Sequence, residues 1–158
     1  MKIEWDITEL TKFADKLVDN RFEVEFERIT KEVAHALLRK IKSHTPIGDT
    51  WELIHGWDKN NLLVTQTATG YEVLLVNSTQ YAVWVNDGHK QRPGRFIPGY
   101  FAHGRFYYDP SKDSGMVLKK AKVKGRFFVE KGILDLNNTN EIQSIIRKHL
   151  QKWWEGCF

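Results

Sequence analysis

Hydrophobic residues recur at every third or fourth position over the first quarter of the chain. Such spacing places one apolar stripe along an α-helix. The phase slips at Asp19-Asn20, so the pattern predicts two helices, over residues 7–19 and 21–43, or one kinked helix. The stripe consists of Ile7, Leu10, Ala14, Leu17, Phe22, Phe26, Ile29, Val33, Leu37 and Ile41.

Both ends of this helical region carry end signals. Asp6 can cap the first amide groups, and Glu9, three residues later, completes a capping box. Pro46 cannot continue a helix, because it lacks an amide hydrogen and restricts the residue before it. The helical region is therefore expected to lie between Asp6 and Pro46.

Three strand-like segments follow the helical region. Residues 53–57 read as an extended piece, and residues 62–67 and 71–77 flank the short loop Ala68-Thr69-Gly70. A loop of this length joins two antiparallel strands as a hairpin. We therefore predict three antiparallel strands with a helix across one face.

The C-terminal part predicts a final helix. Asn137-Asn-Thr-Asn140 offers capping side chains, and Gly156 ends the pattern. One stripe is formed by Ile142, Ile145, Ile146, Leu150 and Trp153. The 158 residues suffice for one domain. The predicted class is α+β: a long N-terminal helix packed on a small antiparallel sheet, a long basic loop and a C-terminal helix.

Residues 89–124 show no sustained periodicity, because Pro and Gly interrupt every candidate element. We predict a long mobile loop there. Residues 88–126 hold ten Lys and Arg against two acidic residues, a net charge of +8, whereas the rest of the chain has a net charge of −4. A segregated block of positive charge of this kind is more often an interaction surface than an accident.

This basic loop has two interpretations from its residues. Its cations could contact phosphates while its aromatic residues stack on bases, as in a nucleic-acid-binding protein. Alternatively, Arg and aromatic side chains could anchor a protein interface during assembly. The candidate interaction residues are Arg92, Arg95, Phe96, Arg105, Lys119, Lys120, Lys122 and Lys124.

Candidate catalytic chemistry is sparse. Asp87, His89 and His103 form the best metal-ligand constellation, but they lack a tight ligand spacing. No nucleophile elbow or phosphate-binding glycine motif occurs. The longest apolar run is too short to span a membrane. We therefore predict no enzymatic activity, no metal, no cofactor, no small-molecule substrate and no membrane contact.

A motif around residue 85 carries a family resemblance. Tyr81-Ala82, Val85-Asn86 and Gly88-His89 are followed by an Arg-, Pro- and Gly-rich segment, and later by Gly125-Arg126-Phe127. In this order they resemble the tail-component proteins of long-tailed bacteriophages and prophages. The turn at Thr45-Pro46 is also similar, although Trp51 stands where that family usually has Gly.

The resemblance implies an α+β fold, no enzymatic activity and a structural or assembly role in tail completion or head–tail joining. It implies other connector and tail proteins as partners, and a ring of identical subunits. The location would be the virion tail or connector, or the host cytoplasm during assembly. DNA binding would be at most weak and non-specific.

The same motif lies in the densest apolar cluster of the sequence, so Trp84 is expected to be buried against the N-terminal helix. The core of this family-like segment is predicted to be Tyr81, Trp84, Asn86, Gly88 and His89.

Overall fold

The computed structural model describes residues 20–48, 50–67 and 70–156. The chain divides into two compact units. The first, here called the helical unit, comprises Met1–Thr79 and Phe128–Phe158, and the second, the basic unit, comprises Gln80–Phe127. Helices and small antiparallel sheets both occur, which confirms the α+β class.

The helical unit is organised around helix α1, Asn20–His44, which confirms the helix predicted over residues 21–43. The predicted helix over residues 7–19 and its capping box lie outside the described residues. Thr45 ends α1: its backbone nitrogen and its hydroxyl both donate to the carbonyl of Ile41, at 3.0 and 2.8 Å. These bonds satisfy a terminal carbonyl just before Pro46.

Two C-terminal helices pack against α1. They are α4, Phe128–Asn138, and α5, Glu141–Glu155. The core cluster between the helices is formed by Ile29, Ala36, Leu136 and Ile145. A Cβ on Gly132 would lie 2.8 Å from the backbone nitrogen of Ile41, so the absence of a side chain at Gly132 permits close contact of α4 with α1.

Helix α5 is the predicted final helix, whereas α4 was not predicted. The segment Gly125-Arg126-Phe127 of the family-like motif leads directly into α4 at Phe128. Phe128 is only 1% exposed, and its ring meets that of Trp57 edge to face at 6.3 Å. A large part of the stability of the helical unit should therefore depend on this aromatic pair.

A two-stranded hairpin completes the helical unit. Strand β1, Trp57–Thr67, pairs antiparallel with β2, Gly70–Asn77, which confirms the predicted hairpin. Tyr71 packs on Phe26 of α1, with ring centroids 5.6 Å apart.

The third predicted strand is wrong: most of residues 53–57 form the short helix α2, Glu52–His55. Side chains at and just after the end of β2 hold this helix by donating hydrogen bonds to its carbonyl groups. The amide of Asn77 donates to the carbonyl of Leu53 at 2.9 Å, and the hydroxyl of Thr79 donates to that of Glu52 at 3.2 Å. Such distant side-chain bonds are not visible as a local sequence pattern.

Ion pairs join α1 to α5. His149 contacts Glu25 through Nδ1 and Glu32 through Nε2, the latter at 2.7 Å, and Lys148 also binds Glu32. Burial acts to raise the pKa of Glu25, but hydrogen bonds from His149 and Arg28 outweigh it and lower that pKa. Hydrogen bonds from Lys148 and His149 lower the pKa of Glu32. Both carboxylates are thus stabilised in their charged form.

The basic unit contains the short helix α3, Ala82–Asp87, and five strands. The strands are β3, Gly88–Lys90; β4, Phe96–Ala102; β5, Arg105–Tyr108; β6, Gly115–Val117; and β7, Lys122–Lys124. Strand β3 pairs with β7, and β4 lies between β5 and β6. The segment predicted as a long loop over residues 89–124 therefore carries regular antiparallel structure instead.

Candidate interaction groove in the basic unit

An antiparallel ribbon forms the frame of the basic unit. It begins with the pairing of Gly88 with Lys124 and continues through a bond from the Gln91 nitrogen to the Ala121 carbonyl at 2.9 Å. The ladder resumes where the Leu118 nitrogen donates to the carbonyl of Arg95 at 2.9 Å. The bonds between the two regular strand pairs show that residues 91–95 remain attached to the opposite strand.

A tight turn interrupts this ribbon at Arg92-Pro93-Gly94-Arg95. The Arg95 nitrogen donates to the carbonyl of Arg92 at 3.3 Å, and Gly94 has a φ of 82°. Pro followed by a residue with positive φ is the pattern of a type II β-turn. Because the Cα atoms of the end residues of a β-turn lie within about 7 Å of each other, the turn brings the backbones of two arginines close together.

An open groove of about 770 Å³ lies on the ribbon beside this turn. Five polar or cationic residues, including the two arginines of the turn, form its rim, and apolar side chains line the rest. The rim comprises His89, Lys90, Gln91, Arg92 and Arg95, and the apolar lining comprises Ile97, Phe106, Tyr108, Met116 and Leu118. Ile97 pairs with Met116, so neighbouring strands supply the apolar lining through alternate side chains.

The positive charge of the groove is not neutralised internally. Among the described residues, Lys90, Arg92 and Arg95 form no salt bridge. The basic unit holds ten Lys and Arg against three acidic residues, a net charge of +7. One of those acids, Asp109, accepts hydrogen bonds from the hydroxyl and backbone nitrogen of Ser111, which lower its pKa. Asp109 therefore stabilises a local turn, and it does not line the groove.

The predicted interaction residues separate into two groups. Arg92 and Arg95 line the groove, whereas the other six lie elsewhere in the basic unit. Phe96 is next to Ile97 in β4, so its side chain points to the opposite face of the sheet. The residues outside the groove lining are Phe96, Arg105, Lys119, Lys120, Lys122 and Lys124.

The sequence interpretation did not select the aliphatic lining of the groove. Ile97, Met116 and Leu118 come from segments that are distant in sequence and carry no common period. The Pro93-Gly94 pair was a usable signal, because it predicts a turn with Arg92 and Arg95 at its ends.

The two pieces of the family-like motif lie together in the structure. The Arg126 and Phe127 nitrogens donate to the carbonyls of Val85 and Asn86, both at 2.9 Å. A Cβ on Gly125 would lie 2.3 Å from the Asn86 carbonyl oxygen, so this contact requires a glycine. Asn86 is buried, and its side-chain amide donates to Asp87 at 2.7 Å.

The expected burial of Trp84 is wrong. Its side chain is 62% exposed, and its ring lies 6.4 Å from that of His89. Tyr81 and Gly88 are half-buried, and His89 is exposed on the groove rim. The apolar density around Trp84 reflects a six-residue helix of which Ala82 and Asn86 are buried.

The candidate metal constellation does not form in the part of the chain that the structure describes, where no group of three or more His, Cys, Asp or Glu side chains could hold a metal ion. His103 lies with Gly104 in the two-residue turn between β4 and β5, and both have positive φ, 50° and 76°. This is the conformation of a type I′ hairpin turn, which explains the position of His103 at the hairpin tip.

Residues 8–88 match the family model described as "Bacteriophage HK97-gp10, putative tail-component". The chain belongs to this family. The "Phage-like element PBSX protein XkdI" of Bacillus subtilis is 31% identical over 111 residues, which cover 66% of this chain and 68% of that protein. The "Uncharacterized protein YqbI" of the same organism is 32% identical over 114 residues, covering 66% and 67%. No solved structure matches.

Membership of the HK97-gp10-like tail-component family supports a structural or assembly role in a phage. The residues that match the family model end at Gly88, so every residue that lines the groove lies beyond them. Within the described ranges, no helix is both long enough and apolar enough to cross a membrane.

Proposed function

We propose that this tail component acts in tail completion or head–tail joining, as a ring-forming subunit whose basic unit provides one of the contacts in the assembled particle. It would be located in the virion tail or connector after assembly in the host cytoplasm. A closed ring of identical subunits requires two different surfaces on each subunit, because each copy contacts its neighbour head to tail.

The unneutralised groove of the basic unit carries this proposal. Lys90, Arg92 and Arg95 lack a carboxylate partner among the described residues. Aromatic residues are exposed on the same unit, including Tyr100, Phe101, Tyr107 and Tyr108. Arginine and tyrosine are the residue types that anchor protein interfaces, so these features favour an assembly contact.

The hairpin of the helical unit supports a second contact surface. On its outward face Leu63 pairs with Leu74, and both are more than half exposed, with Val76 beside them. A two-stranded sheet is marginally stable alone, and its open edges and apolar face suit a neighbouring subunit. A subunit with one cationic and one apolar contact has the two distinct surfaces that a ring requires.

A nucleic-acid-binding role is the second candidate, and one observation favours it: the unpaired cations share a small unit with exposed aromatic rings. However, Tyr100 stacks on Tyr107 at 5.5 Å, and Phe101 contacts Phe106 edge to face at 5.2 Å. Rings that are paired with each other are less available to stack on bases. We therefore expect DNA binding to be weak and to fall steeply with salt.

The test is the triple substitution Arg92→Gln, Arg95→Gln and Arg105→Gln in a phage or prophage that encodes this protein. We expect the purified subunit to fold normally, while the yield of complete, infectious tails falls strongly. Electron microscopy of particles and infectivity measurements provide the readout. The triple Lys131→Gln, Arg147→Gln and Lys152→Gln removes the same charge from exposed positions on helices of the helical unit, away from the hairpin, and is the matched control.

Normal infectious tails from the arginine triple variant would overturn the assembly contact. If the control triple of the helical unit failed equally, net charge rather than the groove would be responsible, and the proposal would also fail. Tight, sequence-dependent DNA binding by the unsubstituted protein would instead favour the second candidate.

A further inference from the structure

We propose that the groove binds an acidic peptide segment of another phage protein, whose carboxylates contact Lys90, Arg92 and Arg95 while an aliphatic side chain enters the apolar lining. This inference names the partner chemistry of the site in the proposed function and rests on that function. It concerns residues that lie beyond the match to the family model.

The turn at residues 92–95 creates the anion-binding part of the site. It brings the Cα atoms of Arg92 and Arg95 within about 7 Å of each other, and neither side chain has a carboxylate partner among the described residues, so repulsion between their like charges is not offset by an acid. A guanidinium group binds a carboxylate through paired hydrogen bonds. A segment with neighbouring acidic side chains would relieve this repulsion, and Lys90 on the same rim would extend the positive surface.

The apolar lining selects a protein rather than a nucleic acid. Ile97, Met116 and Leu118 form an aliphatic surface, which fits a leucine, isoleucine or methionine side chain. Nucleic acids offer no apolar group larger than the thymine methyl group. Phe106 and Tyr108 also line the groove, but Phe106 packs edge to face against Phe101, so the groove provides less of the aromatic platform on which single strands stack. The groove volume of about 770 Å³ lies in the range of about 300–1,000 Å³ that is typical of pockets for compact ligands, so it has room for a short segment.

Charge complementarity also argues for an acidic occupant. The basic unit has a net charge of +7, and the three cationic side chains on the groove rim have no carboxylate partner among the described residues. Contacts between a positive patch and a negative segment set specificity and accelerate association. The aliphatic pocket would then fix the register of the bound segment.

Fluorescence anisotropy with the full chain tests this inference directly. The probe is a short labelled peptide of alternating glutamate and leucine. Two matched peptides replace glutamate by glutamine, or leucine by serine, and a thymidine oligonucleotide of equal charge represents nucleic acid. We expect the glutamate–leucine peptide to bind about tenfold more tightly than either matched peptide, since both the ionic and the apolar contacts contribute.

Two charge variants locate the site. The double variant Arg92→Gln/Arg95→Gln should weaken peptide binding about tenfold, since two exposed ion pairs are lost. The control Lys119→Gln/Lys120→Gln removes the same charge from exposed residues of the same unit that do not line the groove, and it should weaken binding less than about threefold. Circular dichroism of both variants should match that of the unsubstituted protein.

A Met116→Ser variant provides an independent test of the apolar lining. It should remove the preference for leucine over serine but retain the preference for glutamate over glutamine. Equal binding of the leucine and serine peptides by the unsubstituted protein would overturn the inference. Tighter binding of the oligonucleotide than of the glutamate–leucine peptide, or equal losses in the two charge variants, would also overturn it.

The binding experiment and the tail-assembly experiment fail in different ways. Selective peptide binding together with normal tails from the arginine triple variant would support the acidic-segment site but refute its role in assembly. Defective tails without selective peptide binding would support the assembly contact but refute the acidic segment as its partner.

Discussion

The two units of this chain use their charged residues in opposite ways. In the helical unit, cations on α1 and α5 pair with acids of another helix, as Arg39 does with Glu141 at 2.7 Å and Lys148 with Glu32. In the basic unit, Lys90, Arg92 and Arg95 have no carboxylate partner in the described part of the chain. These ion pairs of the first unit connect its helices, whereas Lys90, Arg92 and Arg95 of the second remain available to a partner.

The units also differ in their cores. In the part of the chain that the structure describes, the helical unit buries Phe128, Ile41 and eight other hydrophobic residues, whereas Ala82 is the one buried hydrophobic residue of the basic unit. The strands of the basic unit are joined mainly by backbone hydrogen bonds and expose side chains on both faces. Hydrophobic burial is the main stabilising contribution to folding, so the basic unit should be the less stable part.

Hydrogen exchange should show the largest difference between the units. We propose that residues 89–124 are mobile in the isolated subunit, despite their strands, because so little apolar surface is buried there. Their amides should open at a free energy about 3 kcal/mol or more below that of α1. Protection of the β4 amides equal to that of residues 29–41 would contradict this difference.

Two large aromatic residues provide the next test. Phe128→Ala should lower the free energy of unfolding by about 3–5 kcal/mol, because the ring is fully buried against Trp57. Trp84→Ala should change it by less than about 0.5 kcal/mol, because that side chain is 62% exposed. Denaturant titration measures both. A large loss in the Trp84 variant would show that this residue is buried in solution.

The helical unit was largely predictable from the sequence, because its elements bury one face each. The regular spacing of Phe26, Ile29 and Val33 predicted α1, and the hairpin followed from two strand-like segments around a short loop. Helix α4 was missed because Gly132, which resembles a helix breaker, is required for close contact with Ile41. Contacts between helices that are distant in sequence require a glycine at such a position, and the local sequence pattern does not show these contacts.

The basic unit was predictable in its chemistry but not in its fold. Arg92 and Arg95 were selected from the concentration of charge, and both line the groove. The strands were missed because a ribbon exposed on both faces has no alternation of apolar and polar residues. The burial of Trp84 was predicted wrongly for a related reason: a high density of apolar residues does not indicate which face of a short helix is buried.

The stability of the helical unit should depend on pH in the acid range, because two of its paired carboxylates have lowered pKa values. The pKa values of Glu25 and Glu32 lie below their ordinary value of 4.5, so their contribution to stability is present above pH 4.5 and is lost as pH falls through the lowered values. Glu25→Gln should cost about 1–2 kcal/mol at neutral pH, because the variant loses charge-assisted bonds to His149 and Arg28.

Thermal unfolding across this range measures the effect. The difference in stability between the unsubstituted protein and the Glu25→Gln variant should shrink as the pH falls below 4.5, where the carboxylate becomes protonated. A difference that stays constant down to the acid limit would show that the Glu25 charge does not stabilise the contact between α1 and α5.

The smallest expected effect is the change in the free energy of unfolding when arginines of the two units are substituted. Arg39→Gln should lower stability by about 0.2–1 kcal/mol, because the Arg39 side chain is exposed but pairs with Glu141. Arg92→Gln/Arg95→Gln should change stability by less than about 0.5 kcal/mol and in the stabilising direction, because it removes two like charges that the turn holds together. Denaturant midpoints at low salt should show the opposite signs, and added salt should reduce both differences because it screens exposed charges. If the double variant is instead destabilised as much as Arg39→Gln, the groove arginines stabilise the fold. Their charge would then not be free to bind a partner.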